Sequence, residues 1–122
     1  MKEEIELYLR RAKKFEENAR FNFERKDYDL AMFHIEQAMQ LLIKAKLLND
    51  RGYFERTHSL RRLLSELKDE GVAEFIEKYK RVLRDLERAY VSSRYYFEEF
   101  FEEEVVEAFK ALEELRKIVW KE

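Results

Sequence analysis

Apolar side chains recur at three- and four-residue intervals along nearly the whole chain, the period of helices that each bury one face. In the first segment Ile5, Tyr8, Leu9, Ala12, Phe15, Ala19 and Phe23 form a single stripe. Asp27 is placed to cap a second helix that runs to about Asp50 and stops before Gly52. Thr57 is placed to cap a short third helix with Leu60, Leu63, Leu64 and Leu67, closed by Gly71. A fourth carries Val72, Phe75, Ile76, Tyr79, Val82, Leu83, Leu86 and Tyr90, and the last carries Phe101, Val105, Ala108, Phe109, Leu112, Leu115 and Val119. No linker, repeat or low-complexity tract interrupts them, and short connections between helices make neighbours antiparallel. The pattern predicts an all-α, up-and-down bundle of four to five helices, one domain over residues 1–122.

The second helix stands apart. At about 100° per residue its apolar side chains from Leu30 to Leu48 cover roughly 260° of the circumference. Asp29, Glu36, Gln40 and Lys44 crowd the remaining strip, with Gln37 at its edge. Such a helix is either the buried centre of the bundle or shared between the core and a second interface. A bundle this small surrounds no helix easily with its own chain, which favours a homodimer.

Composition narrows the function classes. With 46% apolar and 15% aromatic residues the chain holds a packed core despite being 43% charged. No proline and only two glycines leave too few turn residues for a many-stranded sheet. The absence of cysteine excludes disulfides, iron–sulfur clusters, cysteine zinc sites and thiol nucleophiles. No apolar run approaches the roughly 18–20 residues of a membrane span, and Met1 is followed by Lys and Glu rather than a signal peptide, so a soluble cytoplasmic protein is expected. A net charge of −2 argues against non-specific coating of nucleic acid but leaves room for a local basic pocket. Few Asn and Gln beside abundant Glu, Lys and Arg favour a thermophilic source.

The stretch from Asp27 to Gly52, DYDLAMFHIEQAMQLLIKAKLLNDRG, resembles the HEPN domain (higher eukaryotes and prokaryotes nucleotide-binding). In that family a helix of this kind precedes a glycine, and Ala31, Gln37, Ala38, Lys44, Ala45 and Gly52 fit it. A short helix opening His-x-Leu with paired leucines is matched by His58, Leu60, Leu63 and Leu64, and an Arg-Tyr pair before the last long helix by Arg94 and Tyr95. The resemblance spans essentially the whole chain. It implies a four- to five-helix bundle, commonly a homodimer, often encoded beside a minimal nucleotidyltransferase. Many members are ribonucleases whose last long helix carries Arg, four to six residues, then His: the His moves a proton and the Arg stabilises phosphate charge. Here Arg94 is followed by Tyr95, Tyr96, Phe97, Glu98, Glu99, Phe100 and Phe101, and no histidine occurs after His58. No catalytic residue is therefore assigned. Arg51 and His58 satisfy the spacing, but in a chain so rich in arginine such matches arise by chance, and this one straddles a turn.

Five residues are candidates for holding a nucleotide or RNA: Arg94, Tyr95, Lys44, Gln37 and His58. Gln37 and Lys44 share one stripe, where an amide and an ammonium can meet a base edge and a phosphate; the bland alternative is a solvated face or a bond to a neighbouring helix. His58, one residue past the expected cap, lies where unpaired amides favour anions, or simply ties its loop. His34, among apolar neighbours, reads as structural. Arg94 offers paired charge-assisted bonds to phosphate, with Tyr95 as a face for a base. Around it Tyr90, Tyr96, Phe97, Phe100 and Phe101 suit either stacking or core and interface, with Phe97 and Phe101 on the last helix's own stripe. Glu98, Glu99, Glu102, Glu103 and Glu104 repel phosphate and suit a helix start better than a metal site. No metal and no cofactor are called for. The reading preferred is a non-catalytic HEPN-like dimer that binds nucleotide or RNA with a nucleotidyltransferase partner; the alternatives are a ribonuclease of a toxin–antitoxin pair and a purely structural helical scaffold.

Overall fold

The structure is a computed structural model that describes residues 2–95 and 99–120, without the side chains of residues 92–95. Among the described residues six helices follow one another: α1 (Lys2–Glu24), α2 (Tyr28–Arg51), α3 (Leu60–Ser65), α4 (Glu70–Lys78), α5 (Lys80–Tyr95) and α6 (Glu102–Val119). No strand occurs among the described residues, and none of their helices is long and apolar enough to cross a membrane. The architecture is the helical bundle that the apolar periodicity predicts.

The turn between α1 and α2 was legible only in part. Lys26 takes a left-handed backbone, φ 64°, at a position where glycine is the usual residue. Its N–H bonds to the Phe23 carbonyl at 3.0 Å, and the Asp27 N–H to that of Asn22 at 2.8 Å. These two bonds close the helix end in a Schellman turn. Asp27 does stand at the cap of α2, but its side chain makes no cap bond; its N–H closes the end of α1 while its carbonyl accepts the Ala31 N–H of α2 at 2.9 Å. At the far end of α2, Gly52 stops the helix as expected, with φ 83° and its N–H on the Leu48 carbonyl at 3.0 Å.

Three boundaries differ from the sequence reading. Ser59, not Thr57, is the cap of α3, accepting from the Arg62 N–H at 3.3 Å, while the Thr57 hydroxyl takes the Ser59 N–H at 3.1 Å. Gly71 does not close α3: it lies in the first turn of α4, its N–H held by the capping Asp69 carboxylate at 2.9 Å. The fourth predicted helix is two, because Tyr79 leaves helical geometry at φ −110°, ψ 22°. The apolar stripe runs through this break, since Phe75, Val82, Leu83 and Leu86 all reach the core. Periodicity alone therefore did not reveal it.

α2 is the centre of the bundle and packs on α1, α3, α5 and α6. Met32, Ile35, Met39, Ile43 and Leu47 are fully buried on it, facing Leu60, Leu63, Leu64, Leu83, Leu86, Leu112 and Leu115. Burial of such a side chain contributes roughly 1.5–3 kcal/mol, so this helix carries much of the stability. The wide apolar arc is thus covered by the chain itself, and the case for a second interface drawn from that arc does not hold. Of its large apolar side chains only Leu30 is exposed. The Trp120 indole N–H, donating to the Leu42 carbonyl at 3.3 Å, pins the end of α6 against the same helix.

Candidate functional site

The polar strip of α2 faces solvent at Asp29 but turns inward at Glu36 and Gln40, which are buried. Glu36 is completely buried, and both oxygens of its carboxylate are met by amides. Gln37 Nε2 donates to Oε1 at 2.7 Å, and Gln40 Nε2 to Oε2 at 2.6 Å. The same Gln40 amide reaches the His58 carbonyl at 3.4 Å, tying the loop before α3 to the centre of α2. Two neutral amides satisfy the hydrogen-bonding capacity of a carboxylate without cancelling its charge. Burial accordingly pushes the Glu36 pKa up to about 7, against the pull of the two amides and the Lys44 ammonium and with the help of the nearby Glu87. Glu87 is itself paired with Arg61 at 3.3 Å. Lys44, half-buried, has its pKa lowered by desolvation and partly restored by Glu36; its ammonium lies 5.3 Å from the centre of the Phe54 ring.

Beside this cluster stands a column of rings. Phe33 lies 6.3 Å from Tyr90 at an interplanar angle of 14°, and Tyr90 lies 4.9 Å from the His58 imidazole at 26°. Tyr90 is buried, while His58 at the end of the column is exposed. Elements distant in sequence supply this column: α2 gives Phe33, α5 gives Tyr90 and the loop before α3 gives His58. The exposed ring at the end of such a stack is a surface on which a nucleobase can stack.

The structure brings together three of the five sequence candidates, Gln37, Lys44 and His58, through two residues of the strip to which the sequence assigned no role. Glu36 joins Gln37 to Lys44, and Gln40 joins Glu36 to His58. The signal was present in the strip itself: a glutamate with amides one and four residues on, on a helix apolar nearly all round. The amide of Gln37 is thus engaged inside its own helix rather than solvated.

His58 does not follow a helix cap as predicted; it precedes Ser59, which is the cap. The amides that were to attract an anion there are engaged, Arg62 N–H by Ser59 and Arg61 N–H by Glu87 at 3.4 Å. Arg94 and Tyr95 belong to the last turn of α5, the turn after Tyr90, and their side chains lie outside the described residues, as do Tyr96, Phe97 and Glu98.

The remaining ionisable candidates have structural employment. His34 is partly buried, which lowers its pKa, and Nδ1 lies 2.6 Å from Asn22 Oδ1, so that nitrogen carries the proton and donates. Arg51 pairs with Glu66, donates to the Tyr53 carbonyl at 3.0 Å and covers the Tyr53 ring at 4.1 Å. Its commitments bind it to Glu66 and Tyr53 rather than to His58, which rests on Tyr90. At the start of α6, Glu104 reaches back to the Phe101 N–H at 2.8 Å, and Tyr28 donates to Glu102 at 3.3 Å. Phe101 is 64% exposed rather than part of the core stripe, while Phe100 is buried. Among the described residues no three His, Asp or Glu side chains converge on a point where a metal ion would sit.

The sequence matches the family model of the HEPN domain over residues 5–122, essentially its whole length. No curated protein and no solved structure matches it.

Proposed function

Because the chain belongs to the HEPN domain family, we propose that it is a non-catalytic module that binds a nucleotide or RNA, acting as a homodimer beside a minimal nucleotidyltransferase partner. The observation that carries this reading is the family match over residues 5–122 in a chain whose two histidines are His34 and His58. Neither follows Arg94, where the family's ribonucleases carry their proton-transfer residue, and His34 is committed to Asn22. In this reading a base stacks on the exposed end of the Phe33–Tyr90–His58 column. Arg94 holds the phosphate, one helical turn beyond Tyr90, with Tyr95 adding a second ring and Lys44 a second positive charge. The glutamates after Arg94 oppose an anion, so affinity is on the order of tens of micromolar and falls steeply with salt.

The dimer draws support from exposed apolar side chains at one end of the bundle. Phe21, Leu30, Phe101 and Val106 stand open where the turn between α1 and α2 meets the start of α6. That meeting is fixed by the Tyr28–Glu102 bond and by Phe23 edge-on to Phe109 at 5.9 Å. Apolar groups left open in this way favour burial against a second copy.

Calorimetric titration of nucleotides and short RNA tests the proposal. Binding by the wild type and its loss in Arg94→Ala are expected; equal binding by both removes Arg94 from the site, and no binding by either turns the reading toward a scaffold. Light scattering at micromolar concentration reports the dimer, against which a stable 15.1 kDa species would count.

A further inference from the structure

A cleft of about 350 Å³ opens where α1, α2 and α6 meet, away from the ring column, lined by Leu9, Lys13, Glu16, Leu42, Arg116 and Trp120. Its floor is apolar: Leu9, Leu42 and the indole of Trp120, which is held in place by its bond to the Leu42 carbonyl. Its charges are unevenly employed. Glu16 is doubly compensated, by Arg20 at 3.1 Å and by Arg116. Lys13 is exposed and has no carboxylate partner among the described residues. The lining therefore sets one free ammonium beside an apolar floor, with the carboxylate of the cleft already neutralised.

A volume of this size lies at the lower end of small-molecule sites, roughly 300–1,000 Å³. The chemistry that satisfies both halves is an amphipathic monoanion: one negative charge for Lys13, hydrocarbon for Trp120 and Leu9. We propose that this cleft binds a small monocarboxylate with an aromatic or branched hydrocarbon tail, its carboxylate on Lys13 and its tail against Trp120. The site is independent of the nucleotide reading, since it shares no residue with the Glu36 cluster or the ring column.

Trp120 is the only tryptophan of the chain, so its emission reports occupancy directly. Titration with 4-phenylbutyrate is expected to give a saturable change with a Kd on the order of millimolar, as befits a dozen or so ligand atoms. Lys13→Gln and, separately, the uncharged 4-phenylbutyramide weaken binding at least about fivefold, the loss of one charge-assisted contact. Lys80→Gln removes the same charge from the start of α5 and binds like the wild type. The proposal is overturned if no saturable change occurs up to about 20 mM, well above the expected Kd. It is equally overturned if the amide or Lys13→Gln binds as tightly as the wild type with the acid, or if inorganic phosphate alone gives the same signal more tightly.

Discussion

Glu36 and Glu16 are both glutamates drawn toward the interior of one small bundle, and their surroundings solve the problem differently. Glu36 is fully buried and met by two neutral amides; Glu16 keeps part of its side chain in water and is shared by two guanidinium groups. Hydrogen bonds from neutral amides offset part of the cost of burying a charge, whereas opposite charge or water offsets more of it. The amide solution leaves Glu36 with a raised affinity for a proton, and the guanidinium solution joins α1 to α6 with charges matched. Polar burial thus has two meanings in this molecule, a latent proton site in the centre and an ordinary clamp at the edge.

The largest test breaks the amide cage. Gln40→Leu keeps the volume but leaves one carboxylate oxygen of Glu36 without a donor and frees the loop at His58. A loss of about 3 kcal/mol at pH 8 is expected by urea unfolding, because an orphaned buried charge is strongly destabilising. The loss shrinks at pH 6, where the carboxyl is mostly protonated. A variant as stable as the wild type at pH 8 would mean that the cage contributes nothing.

The next test concerns the proton. Glu36 has its folded pKa raised, from 4.5 to about 7. The folded state therefore binds the proton more tightly than the unfolded chain, and the stability linked to that proton is fully present below pH 4.5 and lost as pH rises through 7. Between pH 5 and pH 8 the wild type loses about 2–3 kcal/mol relative to Glu36→Gln, whose side chain carries no titrating proton. Parallel stability curves for the two proteins across that window would sink the assignment.

The smallest effect belongs to the clamp. Arg116→Gln removes one of the two cations on Glu16, and a partly exposed pair of this kind stabilises by about 1 kcal/mol or less. The change in thermal midpoint is a few degrees for a domain of this size. A loss as large as that of Gln40→Leu would show that the edge pair is as costly to break as the central cage, and the contrast between them would fail.

These outcomes bear on how much could be read in advance. The five apolar stripes, the stop at Gly52 and the all-helical class follow from spacing and composition, since a helix buries residues three and four apart whatever lies opposite. The Schellman turn at Lys26 was missed because its usual marker is glycine and here a lysine bears the left-handed backbone. The break at Tyr79 was missed because the stripe continues across it. Gln37, Lys44 and His58 stand out in the sequence as separate candidates, yet their connection runs through Glu36 and Gln40, two residues of the narrow polar strip with no role of their own legible in the spacing.

The sequence by itself determined which faces of the helices are apolar, where Gly52 ends α2, and that no histidine follows Arg94. Those are local properties, written in spacing and residue type. Only the tertiary structure decided that α2 is enclosed by its own chain, that Glu36 is dry, and that His58 completes a column begun by Phe33 and Tyr90. Water is excluded from a side chain by neighbours that come from elsewhere in the chain. The raised proton affinity of Glu36 therefore comes from α1, α3, α5 and α6 closing around α2, against the pull of Gln37 and Gln40 beside it on its own helix.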